Sequence, residues 1–391
     1  MIYLDHSATT PLDKEVLNKM LPYFIEKFGN ASSLHGCGRE AVKAVDASRD
    51  KIAGILCCKS SEIYFASGGT EADNWAMYGA ANANSDKGKH ILVSPIEHSA
   101  VYSPAVELKK QGFDVEFLKV NGNGIIDVKY LESRIRKDTI LIAVMFANNE
   151  AGTIQPVDEI ADIAKSKKIL FFTDAVQAAG SIKINLKNLP ADLVSLSAHK
   201  IYGPKGIGCL FIRSGAKIGK LISGGHQERT MRGGTTNVPL IVGFAEAFSR
   251  LDGQREENNA KIKAIRDAFI DKVLKNIESV RLNGDREKRL VNNANFTFEF
   301  IEGESLLLRL DMAGIAASTG SACSSGSLEP SRTLLAMGLS EQQAHGSLRF
   351  SFGKNNTMEE VDITVKKLKE IVADLRELSP LFKVKEEIKY V

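Results

Sequence analysis

The sequence predicts an α/β protein built on a mostly parallel sheet of seven or so strands with helices on both faces, and three features of the chain carry that expectation. Short apolar runs at 62–66, 89–94, 114–120, 139–147, 170–174, 191–196 and 208–212 alternate with stretches of helical periodicity. Such runs alternating with helices argue for a sheet covered on both faces. Polar and glycine-rich residues follow directly after several of them, at the carboxyl ends where open α/β sheets place their ligands.

A chain of 391 residues with 43% hydrophobic content can bury one large core and a second, smaller one. The formal net charge of +3 is near neutral, with acids and bases interspersed, so neither a nucleic-acid partner nor a membrane surface is expected. The run 140–147 is far too short to span a bilayer. The amino terminus has no basic, apolar leader, and five cysteines (Cys37, Cys57, Cys58, Cys209, Cys323) follow no disulfide or metal pattern. A reducing, cytoplasmic setting is the expectation.

In chain order, residues 1–12 form an extended segment ending near Pro11. Amphipathic helices follow at about 13–28 and 38–56, the second ending near Cys57-Cys58, which reads as packing. The 62–66 strand runs into Ser67-Gly68-Gly69-Thr70-Glu71 and a helix, a turn whose glycines and free N–H groups suit an anion. The 89–94 strand is followed by Pro95-Ile96-Glu97-His98 and a helix to about 112. The 139–147 strand ends in Asn148-Asn149-Glu150, and a helix near 158–167 precedes Leu170-Phe171-Phe172-Thr173-Asp174. Two apolar runs then flank Ser197-Ala198-His199-Lys200 in a Gly- and Pro-rich turn. A lone loop lysine is by default a solvated charge. Between buried strands it is partly desolvated, which favours the free amine able to condense with an aldehyde. Helices from about 238 and over 255–277 lead to a second domain with strands at 279–282, 294–300 and 348–352. Thr357-Met358-Glu359-Glu360 is a capping box that opens the last helix.

Thr173-Asp174-Ala175-Val176-Gln177-Ala178 and Ser197-Ala198-His199-Lys200 resemble the cysteine desulfurases of the NifS/IscS type, pyridoxal-phosphate enzymes of the class-V aminotransferase family. The resemblance extends from Leu4-Asp5 to the last helix and implies the aspartate-aminotransferase-like architecture (fold type I). The large, cofactor-binding domain would cover 13–255. The smaller α/β domain would comprise 1–12 and 256–391 and carry the catalytic loop 318–331. Pyridoxal 5'-phosphate would be held covalently by Lys200, with Asp174 on the ring nitrogen, Gln177 on the ring hydroxyl and His98 stacked on the ring, where it also serves proton movement. Gly69, Thr70, Ser197 and His199 would bind the phosphate, and Asn149 would lie beside cofactor and substrate carboxylate. Arg349 matches the carboxylate-gripping arginine, and its planar fork suits that role. Thr235, in Gly224-Gly225-His226-Gln227-Glu228-Arg229-Thr230-Met231-Arg232-Gly233-Gly234-Thr235, would serve the neighbouring subunit's phosphate in a homodimer. Three departures from the family pattern stand out. His6 replaces Asn, Gly69 replaces Ala and Gly233 replaces Ser.

Cys323 lies in Ser318-Thr319-Gly320-Ser321-Ala322-Cys323-Ser324-Ser325-Gly326, too polar and glycine-rich a run to bury a thiol. It matches the family's nucleophile. The implied reaction takes sulfur from L-cysteine, giving L-alanine and a persulfide on Cys323, and passes it to a scaffold protein for iron–sulfur cluster assembly. Cys323 is also the candidate ligand of a transient iron–sulfur cluster. Two alternatives stand beside this reading. One is a selenocysteine lyase or other pyridoxal-phosphate β-lyase of the same fold, against which the Cys323 loop speaks. The other is a catalytically dead structural partner, against which the joint presence of Lys200, Asp174, His98, Cys323 and Arg349 speaks.

Overall fold

The computed structural model of the protein describes residues 1–319, 329–380 and 382. The chain opens on a two-residue strand, β1 (Ile2–Tyr3), and then builds a seven-stranded sheet from β2 (Ile63–Ala66), β3 (His90–Val93), β4 (Asp114–Phe117), β5 (Thr139–Ala143), β6 (Leu170–Asp174), β7 (Leu193–Ser197) and β8 (Gly208–Ile212). Their order is β2-β8-β7-β6-β5-β3-β4, and β8 alone runs against the rest. Each of the seven apolar runs is therefore a strand of one sheet. The central strands β3, β5, β7 and β8 are buried at every position, as a sheet covered on both faces requires.

Helices Gly36–Leu56, Val157–Lys167 and the first half of Val238–Asn276 pack on one face, with Ile52, Ile160, Phe244 and Phe248 among the buried side chains. Gly69–Ala83 and Ser99–Lys110 cover the other face around Trp75 and Val101. The expected helix over 13–28 is two pieces, Lys14–Met20 and Pro22–Ile25, because Pro22 has no N–H to continue the first. Asp13 caps the first piece by accepting from the Glu15 N–H at 2.9 Å. Cys57 does not pack: it is exposed, closing its helix at φ 55°, while Cys58 is half-buried.

The two helices expected near 238 and over 255–277 are one helix of 39 residues, Val238–Asn276. Its second half joins another core, in which Phe269 meets Phe296, Phe350 and Phe352 at centroid distances of 5.0–5.9 Å. Burying such a ring contributes roughly 1.5–3 kcal/mol. This core covers an antiparallel sheet of β9 (Val280–Leu282), β10 (Asn293–Phe298), β12 (Ser318–Thr319) and β13 (Ser347–Ser351), ordered β12-β13-β10-β9. The amino terminus belongs with it. Strand β1 pairs in parallel with β11 (Ile315–Ala316), and Asp5 bridges to Ser351. The capping box holds as expected: Thr357 accepts from the Glu360 N–H, opening helix Met358–Leu378.

Candidate active site

A cavity of about 310 Å³ opens at the carboxyl edge of the large sheet, where β6 and β7 end and helix Gly69–Ala83 begins. Gly69, Thr70, His98, Asn149, Asp174, Gln177, Ser197, His199, Lys200 and Arg349 all line it. A larger cleft of about 540 Å³ at the opposite edge is lined by Lys87, Lys137, Lys165 and Lys187 among others and contains none of these residues.

Lys200 sits in the turn after β7. Its Nζ donates to the carbonyls of Ser7 at 2.5 Å and Ala8 at 2.8 Å. Gln177, just past β6, donates to the same Ser7 carbonyl at 2.9 Å. The amino-terminal segment thus forms one wall of the cavity. Sequence reasoning could not find this, since the groups involved are backbone.

Asp174 ends β6, and its Oδ1 accepts from the Val176 N–H at 2.9 Å. Burial pushes its carboxyl up from the usual carboxylate range, while His98, that N–H and Lys200 pull it back. His98 caps helix Ser99–Lys110, its Nδ1 accepting from the Ala100 N–H at 3.1 Å, which assigns the ring proton to Nε2. At the other end of the cavity the Ser197 Oγ is buried with no hydrogen-bond partner. His199 meets the Thr9 hydroxyl at 3.2 Å. Burial, with Lys200 and Lys205 nearby, lowers its pKa to about 4.

Arg349, on β13, is 3% exposed and reaches into the cavity from the small sheet. It donates to the Asn149 carbonyl at 2.9 Å and to Asp5 Oδ1 at 2.8 Å, and its Nε has no partner. Asp5 is a site residue that sequence reasoning did not single out. Burial raises its pKa and Arg349 lowers it. Cys323 lies outside the described residues, but both flanks of its segment are tied to the rim. Ser318 pairs with Arg349 across β12 and β13, and Ser331 donates to Glu150, next to Asn149.

The three departures have physical partners. A Cβ on Gly69 would lie 2.9 Å from Val176 Cγ2, so the missing methyl makes room for that valine. A Cβ on Gly233 would lie 2.8 Å from the Gly224 Cα, where two backbones meet. His6 is buried, stacks edge-on to Tyr3 at 4.9 Å and fills the space above Gly353. Thr235 does not line the cavity. It borders a small separate cleft with Ser67, Gln227 and Arg232.

Burial lowers the His6 pKa from 6.5 to about 4, with Glu360 opposing. The unfolded chain therefore binds this proton more tightly than the folded one, and so does that of His199. The stability from both neutral rings is complete above 6.5 and is lost as pH falls towards 4. Thermal unfolding of the apoprotein across that window should show a falling Tm, and His6→Asn should make the fall shallower. Equal slopes for both proteins would show that His6 does not contribute.

Would pyridoxal phosphate fit these residues? The orphaned Ser197 hydroxyl, the open N-terminus of helix Gly69–Ala83 and the neutral His199 form an anion cradle at one end. A buried carboxylate, Asp174, and a lysine amine, Lys200, line the same cavity. The donor set fits the group.

A family model described as aminotransferase class-V matches residues 2–364. "Cysteine desulfurase IscS" of Methanosarcina thermophila is 52% identical, over 97% of this chain and 94% of that one. Among solved structures, a "NIFS-LIKE PROTEIN" superposes with a TM-score of 0.90 at 38% identity, covering 96% of this chain and all of that one. "SspA in complex with cysteine" superposes with a TM-score of 0.81 at 34% identity, covering 91% and 100%.

Proposed function

The chain belongs to the class-V aminotransferases and is a pyridoxal-phosphate-dependent cysteine desulfurase, acting on L-cysteine and transferring its sulfur to acceptors; from that premise we propose which of its residues carry out each part of the work. The observation that carries the assignment is the convergence of Lys200, Asp174, His98, Ser197 and Arg349 from both sheets on one cavity.

When bound, the cofactor supplies an electron sink for the substrate's Cα. Lys200 would hold its aldehyde covalently, and once the substrate's amine has displaced it, the freed Lys200 amine would take the proton from the substrate Cα. Asp174 presents a fixed negative charge to the ring nitrogen and keeps a proton there. His98 would cover the ring face, Gln177 would donate to the ring hydroxyl, and Gly69, Thr70, Ser197 and His199 would hold the phosphate. Asn149 stands between the cofactor and the substrate carboxylate. Arg349 grips that carboxylate in place of its present partners. The Cys323 thiolate attacks the substrate sulfur, so that an S–S bond forms as the C–S bond breaks. The electron pair of the broken C–S bond stays with the carbon skeleton, Cβ takes up a proton, and Lys200 returns the proton it took to Cα, so the products are L-alanine and a persulfide on Cys323. The sulfur then passes to an iron–sulfur scaffold protein, with Cys323 the candidate ligand of any transient cluster. Among the described residues no helix is long and apolar enough to cross a membrane.

We assign 13–255 to the large domain and 1–12 with 256–391 to the small one. Two separate hydrophobic cores on the two halves of helix Val238–Asn276 support this division. The protein acts as a homodimer, with Thr235 at the partner subunit's cofactor phosphate. Two observations support this: Thr235 lies outside its own cavity, and Phe24, Ile25, Phe28 and Leu34 are 53–91% exposed on one stretch of chain. A monomer in sedimentation that still turns over cysteine would rule the dimer out.

Asp174→Ala should keep the cofactor bound through Lys200 and the phosphate contacts yet lose about 2–4 kcal/mol of transition-state stabilisation. Near-wild-type kcat would contradict the role. Arg349→Lys keeps the charge but loses the fork, so KM for L-cysteine should rise by the equivalent of about 1.5–3 kcal/mol with a smaller change in kcat. An unchanged KM would move the carboxylate site elsewhere.

A further inference from the structure

Asp73 is a buried acid that the reaction above does not use. It is 1% exposed, lies one turn into helix Gly69–Ala83 and lines the same cavity as Asp174. Its Oδ1 has no hydrogen-bond partner. The groups that face it are Asp174 from β6, Ser195 from β7 and Glu97 from the turn after β3, and none is a cation. Glu97 is itself buried, with its Oε1 accepting from the Met145 N–H and the Arg332 guanidinium nearby.

Asp174 is placed differently. It has the Val176 N–H on one oxygen, with Lys200 and His98 close by. Two carboxyls in one water-poor pocket do not both ionise, and the one with donors and cations keeps the charge. Burial, reinforced by the charge on Asp174, pushes Asp73 far up from its ordinary range. The Ser195 hydroxyl is fully buried beside both carboxyls, and its oxygen makes no hydrogen bond of standard geometry to either of them.

We propose that Asp73 is held as a neutral carboxylic acid and, through the Ser195 hydroxyl, positions the single negative charge of the pair on Asp174. Asp73 is a positioning residue and reaches the chemistry only through Asp174. A proton on Asp73 lets it donate towards Ser195, leaving Ser195 free to donate to the Asp174 carboxylate. The inference rests on the reading of Asp174 as the ring-nitrogen partner.

The test is the infrared difference spectrum of the holoenzyme at neutral pH, Asp73→Asn minus wild type. The expected result is loss of the carbonyl band of a protonated acid with the carboxylate bands intact. Loss of a carboxylate band instead would overturn the proposal. In Asp174→Asn the like charge is gone, so the acid band of Asp73 should titrate away at a pH lower by roughly one unit or more. Titration at an unchanged pH would overturn the pairing. Wild-type protein grown on isotopically labelled aspartate must show the shifted acid band even if a variant does not fold, and labelling separates it from Glu97. Its absence would likewise overturn the proposal. The band is read without turnover, so an inactive enzyme and an ionised Asp73 are distinguishable failures.

Discussion

Lys200→Ala yields a folded protein that holds no cofactor covalently and forms no alanine from L-cysteine. Removing a general base alone costs about 10²–10⁴-fold in rate, and here the covalent anchor goes with it. The fold should survive. Lys200 Nζ donates to the Ser7 and Ala8 carbonyls, and the turn that carries it is held by backbone bonds from Ile201 and Gly203 to Ala198. Alanine production at even a tenth of the wild-type rate, with no cofactor trapped by borohydride, would remove Lys200 from the chemistry.

The second large effect is on sulfur. Cys323→Ser keeps the size and polarity of its segment but replaces a thiol ionisable near neutral pH with a hydroxyl that is not. The variant should bind pyridoxal phosphate, and its absorption should still change on adding L-cysteine, because Lys200, Asp174 and Arg349 are untouched. It should give neither alanine nor persulfide. Wild-type alanine production by Cys323→Ser would favour the β-lyase reading over the desulfurase one. The two variants therefore stop at different points, and comparing them separates the carbon half of the reaction from the sulfur half.

Most of the large sheet was legible because its signal is local. Each strand is an apolar run long enough to see, and each polar side chain after a strand end projects from the same sheet edge. The long helix Val238–Asn276 was not legible as one element. The sequence reads as one helix from about 238 and another over 255–277, whereas Arg255 at that junction is buried and donates to the Ala179 and Ile182 carbonyls. Tertiary contacts decide there. Strands β1 and β11 are two residues each, too short for any periodicity to show.

At the site, side chains carrying a family motif were legible, and groups defined by distant contacts were not. Asp5 meets Arg349 across 344 positions of sequence, and the Ser7 and Ala8 carbonyls have no side-chain signature. Asp73 had a signal that went unused: it follows Gly69 and Thr70 by one helical turn, which places it on the same face. In the proposed homodimer Thr235 serves a second copy of the chain, and no pattern within one chain locates such a target.

The most direct test of the account is a single turnover of wild-type holoenzyme with L-cysteine, without reductant or acceptor. Alanine is counted against the persulfide found by mass spectrometry on the Cys323 peptide. The account predicts one alanine per active site, matched by one added sulfur on Cys323. Alanine accompanied by free sulfide, with Cys323 unmodified, would contradict it.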